Sequence, residues 1–203
     1  MWVVKLGGSL LGSPELKQWL DTLVTHSDGR VLIVPGGSLF ADAVREAQAV
    51  SGVDDVLAHR LALLAMDQFG WLLTCLCPQL AVASTELEIA ERGWQHRAIV
   101  WLPSHMALAD ERIPASWSVT SDSLAAWLAQ TVAAERLILV KSIACGEGAM
   151  PADQLSADGV LDSSFREFSS QLSCPIHVVH KGAHRAFVAA LSHGGDMPGV
   201  LVT

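Results

Sequence analysis

Basic residues are scarce: 13 lysines and arginines stand against 21 aspartates and glutamates, for a net charge of −8, and the pI is near 5.4. They form no cluster, which excludes nucleic acid as an expected partner. No apolar run is long enough to span a bilayer. The richest, residues 57–76, is interrupted by His59, Arg60, Asp67 and Gln68, so no membrane association is expected. A glycine motif at residues 7–9 leaves no room ahead of it for a secretory signal, and a cytoplasmic protein is expected. Cysteine occurs four times, at 75, 77, 145 and 174, without a C-x-x-C pair. Buried free thiols are the expectation, with Cys75 and Cys77 pointing in different directions on a helix. The eight histidines lack the H-E-x-x-H spacing of a zinc site, and no G-x-S-x-G marks a serine nucleophile. Tyrosine is absent and tryptophan occurs seven times, an imbalance to which no chemistry attaches.

Hydrophobic residues make up 51% of the chain and mean hydropathy is +0.37, values that suit a sheet buried on both faces. The length of 203 residues fills one core, and residues 1–203 are read as one domain. Short apolar strands are expected at 2–6, 31–34, 81–83, 98–102, 137–140, 176–179 and 200–202. Helical spacing marks 14–26, 39–49 and 54–76, and a further helix starts at Ser121-Asp122-Ser123 and runs to 134, with serine or aspartate suited to cap it. Alternation of this kind predicts an α/β fold with a largely parallel sheet covered on both faces, whose ligands bind beyond the carboxyl ends of the strands. Residues 143–156 show no periodicity and are expected to be a surface loop, at an end of the sheet where loops often cover a ligand.

Two strands run directly into paired glycines. Val3-Val4-Lys5-Leu6-Gly7-Gly8-Ser9 joins an apolar strand to a cation, two glycines and a hydroxyl, and residues 31–38 repeat the pattern, ending Pro35-Gly36-Gly37-Ser38. Adjacent glycines let backbone N–H groups face an anion with no Cβ in the way, and a lysine adds charge beside it. Phosphoryl transfer needs little else than cations and N–H donors around the moving group and an aligned acceptor. Lys5 is therefore a candidate catalytic cation, with Gly7, Gly8 and Ser9 donating to the same phosphates. Gly36, Gly37 and Ser38 are candidates to hold the acceptor. Lys141 and Ser142 end a third apolar strand and supply a second cation and hydroxyl on the nucleotide side. Asp122 opens an otherwise apolar helix, where it suits orienting the two lysines or a magnesium shell, with Ser121 beside it toward the acceptor. Asp158-Gly159-Val160-Leu161-Asp162 reads either as a plain glycine turn or as a nucleotide-contacting edge through Gly159 and Asp162. His59, near the start of the long helix, is either a structural group or a substrate contact.

These segments in this order resemble the amino acid kinase family, whose members include acetylglutamate kinase, aspartokinase and uridylate kinase. The resemblance rests on residues 3–9, 34–45, 119–129 and 137–159. It implies a three-layer αβα sandwich with a mainly parallel central sheet, ATP with Mg2+ as cofactors, and transfer to a small-molecule carboxylate or phosphate. It also implies a homodimer or higher oligomer, often built on the helix at 54–76. Residues 58–70 and 116–129 look most like the small kinases of methanofuran biosynthesis, which convert an aminomethylfuran-methyl phosphate to its diphosphate. The chain departs from the family pattern at Lys141-Ser142, where many members have Ser-Asp or Thr-Asp, and after Gly159, where Asp162, Ser163 and Ser164 stand in place of a lysine. Either Lys141 supplies the displaced cation, or the nucleotide half has decayed and the protein binds an anion or metabolite without catalysis.

Overall fold

The computed structural model describes residues 1–26, 28–95, 97–144, 146–193 and 196–203. Strand β1 (Trp2–Leu6) leads through a 3-10 turn at Gly8–Leu10 to helix α1 (Pro14–His26), then to β2 (Val31–Pro35), α2 (Ser38–Ser51) and the long α3 (Asp55–Leu76). The edge of the sheet follows as β3 (Ala81–Ala83), α4 (Glu86–Trp94), β4 (Ile99–Trp101) and α5 (Ser104–Ala109). The chain then crosses to α6 (Ser121–Thr131) and β5 (Arg136–Lys141), and continues through β6 (Gly148–Met150), α7 (Ala152–Ala157) and α8 (Phe165–Ser169). It ends with β7 (Ile176–His180), a 3-10 turn, α9 (His184–His193) and β8 (Val200–Val202).

Among the described residues eight strands form one sheet in the order β3-β4-β2-β1-β5-β7-β8-β6. All neighbours pair in parallel except β7 with β8. Helices cover both faces, so the architecture is the αβα sandwich with a mainly parallel sheet. Strand alternation sorts the core into two layers. Val3, Leu32, Val34, Leu137 and Leu139 pack with Leu124, Leu128 and Phe165 on one face. Val4, Leu6, Ile33, Ile138 and Val140 pack with Trp19, Leu20 and Phe187 on the other. Helix α3 contributes to both layers, and its Gly70 lies so close to the sheet that a Cβ there would sit 2.8 Å from Leu102. Among the described residues no helix is long and apolar enough to cross a membrane.

Several sequence expectations are corrected. Residues 143–156 are not one loop: they contain β6 and the start of α7. Strand β6 is a three-residue strand at the sheet edge, paired with β8, and its glycine-containing sequence gives no local signal. The helix from Ser121 stops at Thr131, and Ala133 turns the chain with φ 46°. Of the described cysteines, Cys77 is buried, Cys174 is half-buried and Cys75 is exposed; Cys145 lies outside the described residues. Helix α4 carries a signal the periodicity missed. Thr85 accepts from Glu88 N–H (3.2 Å) while Glu88 Oε2 accepts from the N–H of Ser84, one residue before the N-cap (2.6 Å), a variant of the capping box readable as Thr-x-x-Glu.

Candidate active site

Parallel pairing puts Lys5 opposite Leu139. Side chains alternate along a strand, so Lys141, two residues further on β5, projects from the same face as Lys5. That face is covered by α6, and Asp122 lies in its first turn. The three meet: Lys5 Nζ is 2.8 Å from Asp122 Oδ1 and Lys141 Nζ is 2.5 Å from Oδ2. Only 5% of Lys5 and 3% of Asp122 are exposed. Burial pushes the Asp122 carboxyl up, but the charges of Lys5 and Lys141 outweigh it and hold the group below the ordinary carboxylate value. Burial and the like charge of Lys5 lower Lys141 to about 8 against the pull of Asp122. Two ammoniums in direct contact with one carboxylate give this trio itself a surplus positive charge, a disposition suited to a polyanion.

The two glycine loops touch each other beside this cluster. A Cβ on Gly36 would lie 2.3 Å from Gly8 N, and one on Gly8 would lie 2.3 Å from Ser38 N. Glycine is required here because backbone meets backbone. Ser38 takes φ 53°, an uncommon conformation for a residue with a side chain. The expectation that every glycine N–H faces phosphate needs correction: Gly7 donates to Val140 O (3.2 Å) and Gly36 to Leu6 O (2.9 Å), tying the loops to the strands. The N–H groups of Gly8 and Gly37 have no partner among the described residues, and the first turn of α2 adds more. Ser9 and Ser142 hydroxyls bond across the strand ends at 3.0 Å. Gly36→Ala should force the loops apart and cost about 1–3 kcal/mol, as overpacking does, read as a lower urea midpoint at unchanged slope. An unchanged midpoint would refute the tight loop contact.

A cavity of about 360 Å³ opens against the two glycine loops, between α2, α3 and residues 116–124. Gly8, Ser9, Gly37, Ser38, His59 and Ser121 line it, so the candidate donor and acceptor residues share a wall. Burial holds His59 below its ordinary value, which favours the neutral imidazole. Its outer wall is a connected set that sequence reading missed. The Arg45 guanidinium lies 4.3 Å over the Trp117 ring and pairs with Asp42 at 3.0 Å. Trp117 Nε1–H donates to Gln48 Oε1 (2.6 Å), and Gln48 Nε2–H donates to Asp55 Oδ1 (2.8 Å). Ser38, Asp42, Arg45 and Gln48 recur at helical spacing straight after the second glycine pair, and that spacing was the available signal. Trp117 has none, because its partners lie about 70 residues away.

Residues 1–144 match the family model described as the amino acid kinase family. The chain belongs to the amino acid kinase family. A curated relative, the [5-(aminomethyl)furan-3-yl]methyl phosphate kinase of Methanocaldococcus jannaschii, is 27% identical over 145 residues, covering 70% of this chain and 66% of that protein, just under two thirds of its length. Among solved structures, the uridylate kinase of Archaeoglobus fulgidus superposes with a TM-score of 0.70 at 18% identity, covering 100% of this chain and 99% of that one. The UMP kinase of Bacillus anthracis gives 0.72 at 13% identity, covering 100% and 95%. Both are likenesses of fold.

The amino acid kinase match ends just after β5, and the two remaining candidates lie beyond it. Gly159 sits exposed in a left-handed turn (φ 70°) after α7 and is not among the cavity's lining residues. Asp162 is engaged with α6, accepting from the N–H and hydroxyl of Thr120 and of Ser123. Neither Ser121 nor Asp122 caps that helix: the N-cap is Thr120, and its side chain makes no cap bond. No group of three or more His, Cys, Asp or Glu among the described residues could hold a metal ion, and both Asp122 oxygens face lysines. Among the described residues the one carboxylate of the cluster, Asp122, is committed to the two lysines.

Proposed function

We propose that this protein is an ATP-dependent kinase that transfers the γ-phosphoryl group to a small-molecule phosphate, an aminomethylfuran-methyl phosphate being the favoured acceptor. The observation that carries this reading is the buried Lys5–Asp122–Lys141 cluster, with its surplus positive charge beside two touching glycine loops. Lys141, Ser142, Ser9 and the Gly8 N–H would hold the donor phosphates, and Lys5 would face the transferring group. Gly37, Ser38 and the start of α2 would hold the acceptor phosphate, as helix N-termini hold anions. Magnesium arriving with ATP supplies further charge neutralisation on the phosphates.

In the transfer, an acceptor phosphate oxygen forms the new P–O bond as the bond from the γ-phosphorus to its bridging oxygen breaks. The departing ADP keeps the electron pair. The attacking oxygen is already anionic near neutral pH, so no side chain need remove a proton. That matches a site whose one buried carboxylate is committed to two lysines. The cavity lining combines the Trp117 ring, stacked on Arg45, with the Asp55 carboxylate, a pairing that suits an aromatic ring carrying an ammonium group. A likeness to the Methanocaldococcus relative supports the same acceptor. We further infer pairing of two copies through α3, whose Leu57, Leu64 and Trp71 are exposed at seven-residue spacing.

The test is acceptor-dependent ADP release from Mg-ATP with furan-methyl phosphate, acetylglutamate, aspartate and UMP. Turnover with the furan phosphate is the expected result. Turnover with another acceptor would replace the substrate while keeping the kinase. No turnover with any, together with no ATP binding, would overturn the reading in favour of a non-catalytic binder.

A further inference from the structure

Helix α6 carries Asp122, yet nothing local caps it. A helix start leaves N–H groups that need acceptors, and a serine, threonine or aspartate at the N-cap ordinarily supplies one. Here the acceptor comes from the turn ahead of α8. Asp162 Oδ2 accepts from Thr120 N–H (2.9 Å), Thr120 Oγ1–H (2.8 Å) and Ser123 N–H (3.0 Å), while Oδ1 accepts from the Ser123 hydroxyl. Two residues on, Ser164 donates from its hydroxyl to Ser118 Oγ (3.0 Å) and from its N–H to Ser118 O (3.3 Å). Residues 118–123 are thus braced on both sides by 162–164, and Asp122 lies inside the braced stretch.

Lys141 is faced by Lys5 from β1 and by Asp122 from α6, and Asp162 adds a second negative charge within electrostatic reach. His180, its register partner on β7, accepts from Gly182 N–H instead. Because Asp162 lies outside the stretch that matches the family model, membership does not assign it a role. We propose that Asp162 is a positioning residue of this active site: capping α6 from a distant turn, it fixes Asp122 between the two lysines and adds negative charge beside Lys141.

The inference rests on the kinase reading, and its test separates the two. Asp162→Asn keeps the shape and one acceptor oxygen but removes the charge. In the folded variant kcat should fall about tenfold to a hundredfold, as misplacement of catalytic groups does, with KM for ATP within about twofold of wild type. The alkaline limb of the rate profile should move to lower pH, because less negative charge favours neutral Lys141. Ser123→Ala removes one bond and keeps the charge, so it should lower kcat less and leave the limb in place. A mere structural cap would lower the melting temperature and move neither kcat nor the limb. Independently of turnover, the pH dependence of Lys141 acylation by an amine-reactive reagent, read by peptide mass, should shift downward in Asp162→Asn. If the wild type turns over no acceptor and binds no ATP, the kinase reading fails and this labelling decides Asp162 alone. Unchanged kcat and unchanged labelling in folded Asp162→Asn would overturn the proposal. If that variant does not fold, unchanged kcat in Ser123→Ala would overturn it.

Discussion

Asp122→Asn is expected to abolish measurable turnover and to cost about 3–5 kcal/mol of stability, the usual penalty for removing one partner of a buried ion pair. The cost is large because the carboxylate serves two lysines, and both are deep in the fold. The dependence on pH should keep its sign and widen on the alkaline side. In the wild type the Asp122 carboxyl titrates below its unfolded value, so its stabilisation is present above the ordinary carboxylate range and is lost as pH falls through the folded-state value. In the variant, Lys141 loses its main raising partner and sits below about 8. The unfolded chain then binds more protons than the native one up to the ordinary lysine value, and stability rises with pH across that window. Urea unfolding in the acidic range, at pH 7 and at pH 9.5 checks both statements; a loss under about 1 kcal/mol at pH 7 would refute the buried trio.

Lys5→Met should show the opposite balance, with kcat lower by about 10² or more and little change in stability. Removing one preorganised electrostatic group commonly costs that much in rate. Stability is spared because Asp122 keeps Lys141 as its partner, while an apolar chain replaces a buried ammonium whose desolvation was costly. Unchanged kcat in a folded Lys5→Met protein would remove Lys5 from the chemistry. The asymmetry between these variants follows from the count of two cations to one anion.

What could be read from the sequence was what local rules govern. The buried strands β1, β2 and β5 are apolar runs ended by glycine or lysine, whereas that Lys5 and Lys141 share a face follows only once β1 pairs with β5 in the register Lys5 to Leu139. Helix α4 was equally local, through Thr85 and Glu88, although periodicity over nine residues is too short to reveal it. Non-local contacts stayed hidden. Strand β6 exists only because β8 arrives beside it, and the Arg45–Trp117 contact joins two elements with no shared pattern. Asp162 reads as a turn residue until the fold brings α6 to it, and the commitments of Gly7 and Gly36 N–H appear only when β1, β2 and β5 are assembled.

The contact between Gly8 and Gly36 acts as a fixed gauge. With no side chain between the two loops, the gap a phosphoryl group must cross is a backbone dimension that point substitution elsewhere does not reset. Whatever distinguishes one acceptor from another must then reside on the far wall, among Arg45, Asp55, His59 and Trp117. A lineage built on this frame can change what it modifies while leaving its handling of the donor untouched.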